Sequence, residues 1–306
     1  MTTVSVIIPC RNYAHFVGDA ITSVLNQTHD DLDLIVVDYG STDETQDVVA
    51  RYPEARLIQC SNQGFCIARN IGMQASRGNF LVFLDADDML TPDAIATSLA
   101  RLQCQPECAF AYGHECHFNE TGPVPSRGLS PGKCLKGDPY AEMLRANHPL
   151  RAPGAMLYRR NLVERIGGFT GGLDGSGDID LNLRLVREYP IVCNDRVVLL
   201  TRIHGTNTTR SWGYMLSQAV AAQKVQKGFV AQHSIYRSHY KAGLRLAREY
   251  WGSHLENVIG EKVVAREFQA VASDLAVLAR YAPGRFLLFP LRLSVRRLRR
   301  LRSNSR

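Results

Sequence analysis

Apolar and polar positions alternate in blocks along the first hundred residues, and the blocks have the lengths of strands and helices. The segments between the apolar runs carry apolar residues at helical spacing, for example Val17, Ile21, Val24 and Leu25. Because strand and helix alternate, we predict a parallel sheet with right-handed crossovers. The runs with the length and residue types of buried strands are residues 4–8, 34–37, 56–60 and 80–84.

After residue 108 the pattern changes, and the predicted strands are separated by longer loops. We predict strands at 109–113, 155–159 and 197–203, helices at 161–166 and 179–188, and a Gly/Pro-rich loop at 121–138. From residue 214 onward the pattern is helical. The predicted fold class is therefore α/β, with a mostly parallel central sheet followed by a C-terminal helical extension. The predicted parts are an α/β domain at 1–212, a helical extension at 213–284 and a basic amphipathic tail at 285–306.

The composition is that of an ordinary globular protein, with 45% hydrophobic and 21% charged residues among 306. The sequence contains no run of about 18 apolar residues, so we predict no membrane-spanning helix. It enters a predicted strand directly and shows no signal-peptide pattern. We therefore expect a cytoplasmic location.

Eight cysteines are scattered along the chain, and in the cytoplasm we expect them to be free thiols. One group of cysteines and histidines is close together in sequence, but its spacing fits no common structural zinc motif. We expect this group to serve core or surface packing rather than metal binding. Its members are Cys104, Cys108, His114, Cys116 and His117.

The net charge of +7 is concentrated at the end of the chain. Residues 285–306 contain eight arginines and no acidic residue, and without them the chain has 28 basic and 29 acidic residues. The core therefore offers no basic face for nucleic acid, and we expect no nucleic-acid partner. The tail carries an apolar helical stripe beside its arginines, which favours peripheral contact with an anionic membrane surface over a solvated tail. The stripe consists of Leu291, Val295, Leu298 and Leu301.

The apolar run at 80–84 ends in three carboxylates, Asp85, Asp87 and Asp88. Side chains alternate along an extended backbone, so Asp85 and Asp87 can point the same way from the end of the strand. Two such carboxylates repel each other unless a cation or a proton lies between them, and hard oxygen ligands suit Mg²⁺ or Mn²⁺. The alternative is an acidic strand-to-helix turn in which Asp88 or Thr91 caps the helix that begins at Pro92.

Five segments occur in an order that resembles one known family, the family 2 glycosyltransferases with the GT-A nucleotide-sugar-binding fold. The resemblance covers roughly residues 4–210. The segments are Val4-Ser5-Val6-Ile7-Ile8-Pro9 with Asn12, Val37-Asp38-Tyr39-Gly40-Ser41-Thr42-Asp43, Asn62-Gln63-Gly64 with Ala68-Arg69-Asn70 and Gly72, Leu84-Asp85-Ala86-Asp87-Asp88, and Ile166-Gly167-Gly168-Phe169 leading to Asp178-Ile179-Asp180-Leu181.

The resemblance implies an inverting, metal-dependent transfer of a sugar from a nucleotide-sugar donor of the UDP type. Pro9, Asp38 and Tyr39 would surround the nucleobase and ribose. Arg69 would lie near the nucleotide, and Asp87, with Asp85, would hold Mn²⁺ or Mg²⁺ on the diphosphate. The expected acceptor is a hydroxyl group of a surface polysaccharide or a glycolipid.

The resemblance also assigns two residues in the second half of the predicted α/β domain. Asp178 matches the general base that takes a proton from the acceptor hydroxyl, whereas Asp180 is expected to anchor its helix. His204 is a candidate ligand of the metal or the diphosphate, with a structural role as the alternative. The sequence departs from the family pattern at Tyr39, where a second Asp is common, and at Gly177, where Glu usually precedes the base.

Three other functional classes fit the sequence less well. A haloacid-dehalogenase-type phosphohydrolase also has an apolar strand ending in Asp-x-Asp, but Met89 stands where that class needs Thr or Val. A nucleotide-sugar-binding scaffold without catalysis would explain Tyr39 and Gly177. A Rossmann dehydrogenase is disfavoured because no G-x-G-x-x-G follows the first strand.

Overall fold

The first four strands of the computed structural model are parallel and lie side by side in the order β3-β2-β1-β4. The model describes residues 2–125, 134–145, 150, 152–205, 207 and 211–290. The strands are β1 (Val4–Cys10), β2 (Leu32–Asp38), β3 (Ala55–Gln59) and β4 (Phe80–Phe83), and the helices that connect them are α1 (Ala14–Leu25), α2 (Thr45–Val49) and α3 (Phe65–Ala75).

Every residue of β1 is buried, which explains why its sequence is continuously apolar rather than alternating. β1 pairs with β2 from Val4 opposite Leu32 to Cys10 opposite Asp38, so both strands end at the same level. α1 covers this part of the sheet with Val17, Ile21 and Val24, as predicted. Leu25 was expected on the same face, but its side chain is 38% exposed.

The second half of the sheet is mixed. β4 pairs with β8 in antiparallel orientation, β8 pairs with β6, and β6 and β9 run parallel to each other. β9 begins five residues before the predicted strand at 197–203. The elements of this half are β5 (Met89–Leu90), α4 (Ala94–Cys104), β6 (Phe110–Asn119), β7 (Gly122–Val124), α5 (Pro139–Arg145), β8 (Met156–Arg159), α6 (Arg160–Arg165), α7 (Gly177–Val186) and β9 (Val192–Arg202).

The short strand β5 was not predicted, and it changes the role of Thr91. β5 pairs with β9, Met89 opposite Leu200, and the Thr91 hydroxyl then donates a hydrogen bond to the Val197 carbonyl at 3.0 Å. α4 begins only at Ala94, without a side-chain cap at Asp93. The prediction that Thr91 caps this helix is therefore wrong, because its hydroxyl donates to a carbonyl of β9 instead of accepting from a helix amide.

The chain divides into two compact units, one formed by Met1–Met143 and His148–Gly205, the other by Leu144–Asn147 and Thr206–Arg306. The helices of the second unit pack around Leu216, Trp251 and Leu278. Among the described residues, no helix has both the length and the apolarity needed to cross a membrane. The helices are α8 (Trp212–Val225), α9 (Lys227–Gln232), α10 (Arg237–Val264), α11 (Phe268–Tyr281) and a last helical segment at 283–290.

The α/β fold class with a helical extension is confirmed. The proposed boundary between residues 212 and 213 stays a prediction. The amphipathic stripe of the tail lies outside the described residues, which end at 290. One expectation about the cysteines is wrong, because Cys134 and Cys193 form a disulfide bond, while the other six are free.

Candidate active site

The carboxyl ends of β1, β2 and β4 meet at one edge of the sheet, where open α/β folds bind their ligands. The Leu84 amide extends the pairing of β4 by donating to the Ile7 carbonyl at 3.0 Å, and the Tyr39 amide donates to the Cys10 carbonyl at 3.1 Å. These bonds fix the backbone at the point where each strand ends. Pro9, Asp38, Tyr39 and the acidic turn after β4 are therefore brought to the same edge.

Arg69 lies on α3 beneath this edge, and its guanidinium is almost completely buried. Its Nη2 donates to the Asp85 carboxylate at 2.6 Å. Its Cζ lies 4.7 Å from the ring centroid of Phe65 and 5.2 Å from that of Phe169, at distances where aromatic rings attract a cation. Its Nε is buried and has no hydrogen-bond partner among the described residues. The guanidinium is thus enclosed by the two aromatic rings and held by Asp85.

Asp87 points toward His204 at the end of the first unit. Its Oδ2 is 2.9 Å from the His204 Nε2. Burial raises the pKa of the Asp87 carboxyl, the nearby Asp85 charge raises it further, and the hydrogen bond with His204 offsets part of this shift. Burial is the larger cause of the raised pKa, and the repulsion from Asp85 that adds to it is what a cation would relieve.

Asp88 has a structural role that differs from the helix cap considered from the sequence. It is buried, and its Oδ1 accepts a hydrogen bond from the Arg202 amide at 2.9 Å. Burial and then the charge of Asp87 raise its pKa well above the ordinary carboxyl value. Asp88 therefore ties the acidic turn to the end of β9, which also positions His204 two residues later.

The residues present fit a hard divalent cation. Asp85 and Asp87 come from one tight turn, closed by the Asp88 amide donating to the Asp85 carbonyl at 3.1 Å. Two carboxylates and an imidazole form a donor set that Mn²⁺ accepts and that Mg²⁺ can share with phosphate oxygens. Asp85 is already engaged by Arg69, so Asp87 and His204 are the residues best placed to act as direct ligands.

Asp178 lies in the first turn of α7, where Asp180 is the other acidic residue. Burial raises the pKa of its carboxyl to about 6, against the lowering effect of Arg69. A carboxylate with a pKa near 6 is deprotonated at neutral pH and is still basic enough to accept a proton. Because its pKa responds to Arg69 and to Asp85, Asp178 belongs to the same electrostatic group as the strand-end residues.

Asp180 anchors α7, in agreement with the sequence-based expectation. It is fully buried and accepts hydrogen bonds from the Thr170 hydroxyl at 2.7 Å and from the Arg184 Nε at 2.9 Å. The glycine-rich segment before α7 is also held in place, because the Asp174 Oδ1 accepts a hydrogen bond from the Cys66 amide at 3.0 Å. These contacts fix the position of Asp178 relative to α3.

Asp38 and Tyr39 are placed at the edge in different ways. The two oxygens of Asp38 accept hydrogen bonds from the Ser41 amide and the Gln46 side chain, each at 2.8 Å, so its carboxylate shapes the loop after β2. Burial and then the charge of Asp85 raise the pKa of the Tyr39 phenol. The phenol therefore remains protonated and able to donate a hydrogen bond. Pro9 is buried within β1, opposite Val37.

Two residues near this edge received no role from the sequence: Tyr13, which was not singled out, and Asn70, which appeared only as part of a motif. The pKa of the Tyr13 phenol is raised by burial and then by the charges of Asp87 and Asp85, which places Tyr13 beside the acidic turn. Asn70 clamps the Gly-Gly-Phe segment, since it donates to the Phe169 carbonyl at 2.8 Å and accepts from the Phe169 amide at 2.9 Å. The sequence did offer a sign of the role of Asn70, because this residue directly follows Arg69 in the same motif.

Comparisons with known proteins bear on the fold and the family of the chain. The chain resembles the chondroitin synthase of Escherichia coli with 29% identity over 210 residues, which are 67% of this chain and 30% of that protein. It thus spans under a third of that relative's length. Among solved structures, Staphylococcus aureus TarS 1–349 in complex with UDP-GlcNAc matches with a TM-score of 0.60 and 17% identity, over 97% of this chain and 87% of that one.

A mannosyltransferase from Pyrobaculum calidifontis, solved with GDP-Man and Mn²⁺, matches with a TM-score of 0.60 and 20% identity, over 96% of this chain and 86% of that one. At such identities the two structures show a shared fold. The sequence model of the family described as "Glycosyl transferase family 2" matches residues 5–167, more than half of the chain, including the strand-end segments described above. The chain is therefore a glycosyltransferase and belongs to glycosyl transferase family 2.

Proposed function

We propose that this glycosyltransferase moves a sugar from a nucleoside-diphosphate donor of the UDP type to a hydroxyl group of a polysaccharide or glycolipid acceptor, with inversion at the anomeric carbon. The observation that carries the proposal is the grouping of Arg69, Asp87 and Asp178 around one edge of the sheet, where their charges act on each other through Asp85. A cation, a metal-binding carboxylate and a weak base are the groups that departure of a diphosphate and attack by a hydroxyl require.

In the proposed reaction Asp87, with Asp85 and His204, would hold Mn²⁺ or Mg²⁺. The bound ion would supply Lewis-acid stabilisation to the leaving diphosphate. The structural neighbours with UDP-GlcNAc and with GDP-Man and Mn²⁺ support a nucleotide-sugar donor and a divalent ion. Arg69 would add a second positive charge on the nucleotide side, held there by its ion pair with Asp85.

The proton of the acceptor hydroxyl would pass to the Asp178 carboxylate while the hydroxyl oxygen attacks the anomeric carbon. A single displacement with one base inverts that carbon. Tyr39 and Pro9 would pack around the nucleobase and ribose. Asp38 would act mainly by holding the loop that follows Tyr39, since its two oxygens already accept hydrogen bonds from Ser41 in that loop and from Gln46 in α2.

The acceptor class in this proposal rests on the resemblance to a chondroitin synthase, an enzyme named for a polysaccharide product. Contact with an anionic membrane surface through residues 285–306, on the cytoplasmic side, is part of the same proposal. Leu287 is 73% exposed in the described portion of that segment, which supports an apolar surface contact. Arg285 is paired with Glu256 at 2.8 Å, so the arginines available to lipid would begin after it.

The proposal is tested by thermal unfolding of the purified chain with a panel of UDP-, GDP- and other nucleotide sugars, each with Mn²⁺ or with a chelator. A donor that binds only the folded state raises the melting temperature, and we expect this rise to need the metal and to be lost in Asp87→Asn. Release of nucleoside diphosphate from the same donor distinguishes an enzyme from a scaffold. Stabilisation without any release, with water and with glycan acceptors, would favour the scaffold instead.

A further inference from the structure

A second group of metal-binding side chains lies on the sheet, away from the strand ends just described. His114, Cys134, Cys193 and Asp195 each place one potential ligand atom within 4.8 Å of all the others. Cys193 lies at the start of β9, whereas the acidic turn contacts Arg202 at its end. Nine residues of extended chain separate the two positions by about 25–30 Å.

The backbone around this group has an irregularity that brings its members together. Tyr112 pairs with Cys193, but His114 pairs with Val197, so β9 carries extra residues in a bulge opposite Gly113. Asp195 lies in this bulge with φ of 54°, a left-handed conformation that non-glycine residues rarely adopt. Bulges of this kind commonly redirect a side chain near functional sites. Here the bulge directs the Asp195 Oδ1 to within 2.9 Å of the His114 Nε2.

Neighbouring contacts hold the bulge and the approaching loop in place. Buried Asn194 donates hydrogen bonds to the Thr97 hydroxyl at 2.9 Å and the Ser98 hydroxyl at 3.1 Å, so the bulge is fixed on α4. A side chain at Gly113 would lie 2.9 Å from the Arg196 carbonyl oxygen, so only glycine fits opposite the bulge. On the loop side, the Leu135 amide donates to the Tyr112 hydroxyl at 2.8 Å and positions Cys134.

The chemistry of the four side chains matches a zinc site better than a magnesium or manganese site. Two thiolates, one imidazole and one carboxylate are the ligand types of tetrahedral zinc, and thiolates select soft or borderline cations over Mg²⁺ and Mn²⁺. In such a site the ligand atoms lie about 3.3–3.8 Å apart, as bond lengths of about 2.0–2.3 Å require. His114 is buried and Asp195 is about half exposed, so the group is accessible to an ion from one side.

We propose that His114, Cys134, Cys193 and Asp195 bind one zinc-class cation when Cys134 and Cys193 are reduced, and that the disulfide is the oxidised alternative state of the same site. A small-molecule thiol such as glutathione interconverts the two states. Two thiol molecules reduce the Cys134–Cys193 bond, giving two cysteine thiols and one small-molecule disulfide. Zinc then displaces the two thiol protons, while His114 binds as the neutral imidazole and keeps its one proton on the ring nitrogen that does not face the ion. Either state joins the chain at residue 134 to the start of β9.

The test uses the full chain, reduced with a phosphine, which becomes a phosphine oxide as it takes oxygen from water and converts the disulfide to two thiols. After anaerobic desalting, the chain is titrated with Zn²⁺ or Co²⁺ in the presence of excess Mg²⁺. We expect one zinc per chain, the visible absorption of tetrahedral Co²⁺ and a thiolate-to-cobalt charge-transfer band. The oxidised chain should show neither the band nor stoichiometric zinc.

Variants assign the signal to the four residues. Cys134→Ser and Cys193→Ser should lose the charge-transfer intensity, and Asp195→Asn should weaken affinity about 10–100-fold, the scale for groups that ligate or orient a ligand. Cys104→Ser, at an exposed free cysteine, is the matched control and should retain the band, as should Asp87→Asn. A reduced chain without the band, or a band of full intensity in Cys134→Ser together with unchanged cobalt affinity in Asp195→Asn, would overturn the proposal even if Cys193→Ser failed to fold.

Discussion

Two neighbouring acidic residues of α7, Asp178 and Asp180, should respond in opposite directions when each is replaced by asparagine. The pKa of Asp178 is raised from 3.8 to about 6, chiefly by burial. A folded-state pKa above the unfolded value means that the folded protein binds the extra proton between about pH 4 and 6. Stability therefore falls as the pH rises through that window, and the cost is complete at pH 7.

The size of this cost follows from the shift. Two pKa units correspond to about 3 kcal/mol at about 1.4 kcal/mol per unit, and partial exposure of the side chain makes this an upper figure. Asp178→Asn removes the buried charge, so its free energy of unfolding at pH 7 should rise by as much as about 3 kcal/mol and be unchanged near pH 4. Asp180→Asn should instead lower stability by about 1–3 kcal/mol, because it weakens the bonds to Arg184 and Thr170.

Catalysis provides the second measurement. If Asp178 is the base, Asp178→Asn should reduce turnover by two or more orders of magnitude while donor affinity changes little. In the unaltered enzyme, turnover should fall about tenfold per pH unit below about pH 6, because the base becomes protonated, and this decline should be absent in the residual activity of the variant. Urea unfolding at pH 4 and pH 7, with rates of nucleoside-diphosphate release, measures both effects.

The opposite result would be clear. An Asp178→Asn chain that is less stable at pH 7, keeps its turnover and binds the donor weakly would show that Asp178 is a binding or structural carboxylate. The base would then lie elsewhere. Asp180→Asn controls for general disturbance of α7, since it should lose stability and retain the decline in turnover below pH 6.

Three further predictions concern the strand-end residues. Asp87→Asn should abolish transfer and the metal-dependent part of donor binding in isothermal titration, because it removes a charge from the proposed ion's ligands; unchanged activity would exclude Asp87 as a ligand. Tyr39→Phe should cost about 0.5–1.5 kcal/mol of donor affinity if the protonated phenol donates a hydrogen bond, and little if the ring only stacks, whereas Tyr39→Ala should cost about 1–3 kcal/mol. Tyr39→Asp should sharpen preference for uridine donors, and no effect of any of the three would place Tyr39 outside the pocket. Arg69→Lys keeps the charge but not the planar fork, so donor affinity should fall about tenfold in the same titration, and full retention would show that charge alone matters.

The central sheet could be predicted because its signals are local. A strand buried on both faces needs consecutive apolar residues, and β1 and β4 meet that need within their own sequences. Parallel strands joined by helices then end at one edge, so the placement of Asp38 and Asp85 at a common edge followed from topology alone. The resemblance supplied roles that topology cannot supply, such as the difference between Asp178 and Asp180.

Features that depend on distant partners could not be predicted in this way. The two residues of β5 are too few to carry a periodic signal, and their strand conformation comes from pairing with β9 more than a hundred residues later. The same pairing brings the Thr91 hydroxyl to the Val197 carbonyl, to which it donates a hydrogen bond. Asp88 likewise appeared to be a helix cap because its true partner, the Arg202 amide, is distant in sequence.

The two candidate metal groups illustrate why one was visible in the sequence and the other was not. Asp85 and Asp87 share one turn, so their spacing alone predicts two converging carboxylates. The ligands of the second group come from three distant segments: His114 from β6, Cys134 from a loop, and Cys193 and Asp195 from the start of β9 and its bulge. Their spacing in sequence matches no compact motif. Cys104 and Cys116 are close in sequence but were expected to serve packing rather than metal binding, and both are exposed free cysteines. Convergence at a bulge, with a left-handed Asp195 and a glycine opposite it, is therefore a stronger sign of a site than cysteine spacing.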